Sequence, residues 1–536
     1  MQAGELGPQG RCSAARACGL ESTPSEAVGS RIPSDETGKP GCVRRLLVAT
    51  GGVAALRATH LSMRRPTRVS FTPALWTVLF CLSGCPERNS SEGEGEGEGE
   101  GEGEGAFFQV TAVVPLSDAD PLVVPGFAIA ARPDGRFAVA WFEENPGVTV
   151  TCQTFDGDTV EGETYTLKVA DEQADGSVRI RTVQQAVPNT REDAVDMAVT
   201  PDGALVLAYQ GGGAAAGNPE AGVTRTFCGA SDLAIAVESG DAFTVSTPAT
   251  TASTGTACRG AAGGDPYCNQ GEVVGLYPSI SINAAGRTAV AYQDTHFGFA
   301  DTDINSADME LALGASPTGL GLQSLNMESG AGNYSSTFVN DEGDTVTGYW
   351  TRGSNTFQDG QGQSYTVRDG IYATVVTTSG EVTDTLVYDG AFTASRVAVG
   401  HASGVGFVLA VHDRGAEQLL LYTSTDAGTT WTPAPVEQLG RSGRDPNIFF
   451  LGDGRMLLAY GHCRDNENAD GCDFRNDGVR LALQDGNRFV KGDLGGDDED
   501  LEGIGVDAAR SGTSEIVTVD LNSSQNLLVV RRVTIR

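Results

Sequence analysis

The sequence predicts an all-β chain folded as a seven-bladed β-propeller, and three observations carry that prediction. A hairpin theme recurs seven times, each of the first six copies is followed by a second strand pair, and no stretch shows the 3.6-residue apolar period of an amphipathic helix. The clearest copy is Pro278 to Asp294, PSISINAAGRTAVAYQD. Residues Ser279, Ile280, Ser281 and Ile282 alternate, Ala285-Gly286 turns the chain, and the second strand ends in Ala-Tyr and polar residues.

Taken in order, residues 1 to 62 have no periodicity and read as an extension outside the mature protein, with Met63 as the start. A basic run, Met63-Arg64-Arg65-Pro66-Thr67-Arg68, precedes Val69 to Leu82, an apolar stretch too short to span a bilayer, so 63–85 reads as an export signal. Its end, Leu82-Ser83-Gly84-Cys85, resembles the lipobox of bacterial lipoproteins, which implies acylation of Cys85 and a membrane anchor. By the same resemblance, Pro86 after the cysteine implies the outer membrane or cell surface. Residues 86–105 form a tether, of which Glu92 to Gly105 is seven Glu-Gly pairs. Glycine denies them a helix, the carboxylates repel, and fourteen residues reach at most about 50 Å.

The propeller occupies 106–536. Further hairpins are Phe127 to Glu144, Val195 to Gln210, Ser336 to Thr351, Arg396 to Asp413, Asn447 to His462 and Ile504 to Asp520. Their turn glycines are Gly135, Gly203, Gly286, Gly343, Gly404, Gly454 and Gly512. The second pairs are Val148 to Leu167, Leu233 to Val245, Met309 to Gln323, Ile371 to Tyr388, Leu419 to Pro433 and Val479 to Leu494, which makes four strands per blade. The seventh copy has only a third strand, Leu527 to Arg531, so its outer strand is expected from Phe107 to Val114 at the other end of the chain. Inserts at Ala170 to Arg191 and Gly211 to Thr226 leave six or eight blades compatible as well.

Formal net charge is −34, and because eleven basic and six acidic residues precede position 89, the remainder carries −39. That balance argues against nucleic acid and anionic membrane surfaces as partners. It admits a divalent cation such as calcium; the acidic stretches Arg464 to Asp473 and Gly492 to Glu502 invite that reading, but neither fits an EF-hand loop.

In blade five, Ser424-Thr425-Asp426-Ala427-Gly428-Thr429-Thr430-Trp431 resembles the Asp-box (BNR repeat) of sialidase-like propellers, with Ser424, Asp426, Gly428, Thr430 and Trp431 in its structural positions. The resemblance implies a propeller with the box away from the active face. It does not extend to sialidase catalysis: the one Arg-Ile-Pro, Arg31-Ile32-Pro33, precedes the signal.

Loops after second strands and loops entering the next blade open on one face, so the polar ends of second strands are the candidate ligand-binding set. These are Glu143, Asp294, His296, Arg352, His412, Asp413, Arg414, His462 and Arg464. Imidazoles and carboxylates there could hold a metal or a glycan, and the arginines an anion. Six cysteines follow the lipobox. Cys258/Cys268 and Cys463/Cys472 each bracket a short loop and Cys152/Cys228 remain, an oxidised set suited to export. The expected function is a lipid-anchored binding or scaffold protein of the bacterial cell envelope, with a glycan, peptide or envelope protein as partner. The alternative is a glycan-processing hydrolase or lyase using Asp294, Asp413 or Glu143 as acid or base.

Overall fold

The computed structural model describes residues 107–536 apart from 117–125, 154–158, 189–193, 212–230, 251–272, 296–306, 327–329, 353–354, 359–363, 368, 391–394, 414–417, 439–442, 463–477, 495–502 and 523–526. These residues fall in the compact unit Gly97–Arg536; the unit Met1–Glu96, with the expected export signal and Cys85, and the Glu-Gly tract lie outside the described residues.

Seven sheets of four antiparallel strands form the ring; from the inner edge outward each strand pairs with the next in sequence, except that blade four skips a small hairpin and blade seven ends on the N-terminal strand. Blade one comprises Phe127–Ala131, Phe137–Gln153, Thr159–Glu172 and Val178–Pro188; blade two comprises Val195–Val199, Leu205–Gly211, Asp232–Ser239 and Ala242–Ala249. Blade three comprises Val273–Ile282, Thr288–Thr295, Ala307–Gly314 and Leu320–Asn326; blade four comprises Asn333–Val339, Thr345–Thr351, Gly370–Val376 and Val382–Tyr388. Blade five comprises Ala398–Ala402, Gly406–Asp413, Gln418–Ser424 and Thr432–Glu437; blade six comprises Arg444–Phe450, Met456–His462, Gly478–Asp485 and Arg488–Leu494. Blade seven takes Gly503–Arg510, Glu515–Asn522 and Leu527–Ile535 from the C-terminal end and Phe108–Pro115 from the N-terminal end. No described residue is helical.

The second strands explain why the blades stack. Thr288–Thr295 is buried along its whole length, because neighbouring blades cover both of its faces. Small Ala289 and Ala291 face blade four, while Val290 and Tyr292 face blade two. Trp141, Tyr209, Tyr292 and Tyr460 are fully buried at one recurring place, each against the preceding blade. Seven apolar clusters result, one for every seam, including the seam between blades seven and one. A fully buried side chain of this size contributes about 1.5–3 kcal/mol.

The inner strands present unpaired backbone edges to their neighbours, and short polar side chains satisfy them. Asp196 accepts from Ile280 N–H at 2.8 Å, Ser279 from Thr337 N–H at 3.0 Å, and Asp507 from Ile129 N–H at 2.8 Å. In each case the acceptor lies on an inner strand and the donor belongs to the following blade. The last of these three crosses the ring closure, where Phe108 pairs with Ile535 and Pro115 with Val529.

Blade one departs from the expected strand pairs. Val148 to Leu167 lengthens the second and third strands into a projecting hairpin, and the fourth strand is Val178–Pro188, inside the stretch taken for an insert. An alternating run with a turn suits either hairpin; the turn that counts is Gln173 to Ser177, where Gly176 sits at φ 81°. Blade four also carries an unforeseen hairpin, Asn355–Gln358 with Ser364–Val367.

Candidate functional site

Second strands end, and inner strands begin, on one face of the ring; the tight turns after inner and third strands lie on the other. The turn 424–431 belongs to the second group. Asp426 accepts from the Ser424 hydroxyl at 2.9 Å, from Thr430 N–H at 2.9 Å and from the Thr430 hydroxyl at 2.6 Å, while Trp431 Nε1 donates to Gly428 O at 3.0 Å. These bonds hold the Asp426 carboxyl below the usual carboxylate range, the Thr430 hydroxyl contributing most.

The predicted site residues on the first face occupy four separate seams rather than one pocket. Alternation along each second strand sends Glu143, Asp294, Asp413 and His462 toward the preceding blade, two residues beyond Trp141, Tyr292, Val411 and Tyr460. Glu143 accepts from Trp141 Nε1 at 2.9 Å and pairs with Lys168. His412 shares the face of Ala410 and so points toward blade six, while His462 points toward blade five; both line one seam, each 4% exposed. Arg352 is exposed at the end of its strand. His296, Arg414 and Arg464 lie outside the described residues, as do Cys228, Cys258, Cys268, Cys463, Cys472 and the side chain of Cys152.

The seam between blades four and five joins aromatic and charged groups. Half-buried Tyr388 ends the outer strand of blade four and donates its hydroxyl to Asp413; burial, then Asp413, pushes the phenol far above its ordinary range. Trp350 meets Tyr388 edge to face at 5.9 Å and anchors itself through Nε1 to Ser395 O at 3.1 Å. Sequence reasoning found Asp413 and Arg352 here but missed Tyr388, whose strand-end position only the assembled blade reveals.

The seam between blades five and six is an ionic knot. Glu437, fully buried, accepts from Arg480 and Lys491 at 3.0 Å each and from the Tyr460 hydroxyl at 3.2 Å; Arg480 also grips Asp493 at 2.6 and 2.9 Å. Burial opposes ionisation of Glu437, but the Lys491 and Arg480 bonds outweigh it and hold the carboxyl below its usual range.

A cavity of about 350 Å³ lies on the axis, lined by Asp196, Ser279, Thr337, Arg396, Asn447 and Asp507 among others from all seven inner strands. Burial, with Asp196 adding repulsion, pushes the Asp507 carboxyl up to about 7 against the opposing pull of Arg396. A second acidic group, Asp294, Asp308 and Glu310, offers oxygens within 4.8 Å of one another and is the set among the described residues suited to a metal ion.

The fold and these seams define the chain as a four-stranded, seven-bladed β-propeller. No family model matches it, and no curated protein does. Among solved structures it is similar to a protein of unknown function from Dyadobacter fermentans DSM 18053, at 10% identity over 80% of this chain and 100% of that one, with a TM-score of 0.44. It is also similar to the Hadza microbial sialidase Hz136, at 14% identity over 70% of this chain and 74% of that one, TM-score 0.38. A third is the leech intramolecular trans-sialidase, at 7% identity over 78% and 93% of the two chains, TM-score 0.37. At such values the likeness assigns no activity to this chain; its own strand pairing establishes the ring.

Proposed function

We propose that the protein is a lipid-anchored binding protein of the bacterial cell envelope that recognises a glycan through the face on which its second strands end. One observation carries this reading: the seam between blades four and five sets a half-buried Tyr388 on Asp413, with Trp350 behind it and Arg352 exposed at the end of the same second strand. A sugar ring can lie against an aromatic face, a carboxylate can accept its hydroxyls, and a guanidinium can hold an acidic substituent. The resemblance of 424–431 to an Asp-box supports the same direction, and the lipobox with its acidic tether supports the envelope address.

The test is a glycan array probed with the full chain, run beside a panel of chromogenic glycosides. Binding without turnover is expected, and Tyr388→Ala and Asp413→Asn are each expected to weaken it by roughly tenfold. Turnover of any glycoside favours the hydrolase reading instead. Absence of binding to every glycan, with folding intact, sinks the proposal.

A further inference from the structure

We propose that Asp294, Asp308 and Glu310, with the hydroxyl of Ser324, bind one calcium-like divalent cation in the seam between blades two and three. The inference is independent of glycan recognition. Each of the three acids offers one carboxylate oxygen, all within 4.8 Å of one another, and their exposures are 0%, 1% and 1%. Oxygens ligating one calcium ion at about 2.3–2.6 Å stand no more than about 5 Å apart, so the trio fits a single ion.

Strand register puts all four groups on one wall. Asp294 stands directly opposite Asp308, Tyr292 opposite Glu310, and Glu310 opposite Ser324. Directly opposed residues of antiparallel strands share a face. That face is the one carrying Val290, Tyr292 and Ala312 toward blade two.

Ser324 supplies the second, separate observation. It is 3% exposed and its Oγ makes no hydrogen bond. A buried hydroxyl without a partner is uncommon and costs free energy, whereas beside Glu310 it is placed to complete an oxygen shell.

Blades one and six show a charge-balanced version of this place. Opposite Trp141 in blade one stands Lys168, which pairs with Glu143. Opposite Tyr460 in blade six stands Arg480, which faces Asp493 across the next strand pair and also takes Glu437. Those seams carry a basic side chain at the third-strand position and acids around it. Blade three has Glu310 at the basic position and Ser324 where blade six has Asp493. Its four positions therefore accept and do not donate positive charge. Directly opposed like charges such as Asp294 and Asp308 disfavour strand pairing, and a bridging cation relieves that repulsion. The donors are all hard oxygens without Cys or His, which selects calcium, magnesium or manganese over zinc or copper.

The experiment strips the purified full chain with EDTA and titrates it with calcium chloride, with magnesium chloride as a second arm, following heat of binding and unfolding midpoint. Saturating calcium is expected to raise the midpoint by about 2–4 °C. Asp308→Asn is expected to weaken calcium binding by at least about tenfold and Ser324→Ala by a few-fold, about threefold. Because Asp308→Asn could impair folding, Glu310→Lys serves as a second variant: it copies blades one and six, and its midpoint is expected to match the calcium-loaded wild type and to ignore EDTA. A stripped wild type that ignores calcium while Glu310→Lys unfolds at lower temperature means that a basic side chain of the chain balances the trio, and overturns the proposal. Calcium binding left unchanged by Asp308→Asn and Ser324→Ala overturns it too.

Discussion

Asp507, half-buried in the lining of the axial cavity, and Glu437, fully buried in a seam, have carboxyls that their surroundings drive in opposite directions. Asp507 lies beside Asp196 and its carboxyl is raised from 3.8 to about 7, with Arg396 opposing the shift. A raised carboxyl stabilises the fold fully below its unfolded value and loses that contribution as pH climbs through its folded value. Wild-type stability should therefore decline between about pH 4 and 7 through this group, leaving Asp507→Asn, which keeps an acceptor for Ile129 N–H, more stable at pH 8 by about 1–3 kcal/mol. Parallel denaturation curves across that range, with no difference in slope between the two proteins, would refute the account. Glu437 has the opposite sign: its depressed carboxyl stabilises above its unfolded value and loses that contribution as pH falls through its folded value. Glu437→Gln leaves Arg480 and Lys491 short of a counter-charge in the seam and should cost about 2–4 kcal/mol at pH 7, read by urea denaturation. At the turn 424–431, Asp426→Ala removes the acceptor of three bonds and should lower the unfolding midpoint while leaving ligand binding untouched, since the turn lies on the opposite face.

At the scale of the element, the most informative strand is Phe108–Pro115. It supplies the outer edge of blade seven, and Phe107 and Phe108 pack on the cluster between blades six and seven. Deleting 107–116 should expose Leu527–Ile535 as an open edge and bare that cluster. Size-exclusion chromatography should then show association, and limited proteolysis should cut within blade seven; a monomer as resistant as the full chain would contradict the closure. This strand was legible in the sequence because a blade one strand short at one terminus demands a strand from the other. The hairpin pairs of blades two to six were legible for a related reason: an alternating run, a turn and a second run identify a local pairing. Blade one was misread because Val148 to Leu167 satisfies that rule equally well as a lengthened second hairpin, and local pattern carries no register against the neighbouring blade. Candidate site residues were found as strand ends but not as seam partners. Sequence spacing marks where a strand stops, whereas which wall a side chain faces follows from one-residue offsets such as that between His412 and His462.

At the scale of the molecule, the excess of acid over base in 106–536 gives the ring a net negative charge that repels polyanions and concentrates cations. If Cys85 carries the anchor, Cys85→Ala should move the protein from the membrane fraction to the soluble fraction with its ring intact. Metabolic labelling with a radioactive fatty acid measures the same point, and label retained by the variant would reject Cys85 as the attachment site.

The pairing of Phe108 with Ile535 joins the first and last strands of the ring. Such a contact has very high sequence separation, and the loop-closure entropy it costs places it among the slowest to form. A nascent chain can stack six blades as an open horseshoe, but the last blade cannot be completed before Leu527–Ile535 has emerged. Products truncated before Leu527 are thus left with a sticky rim that quality-control proteases can find.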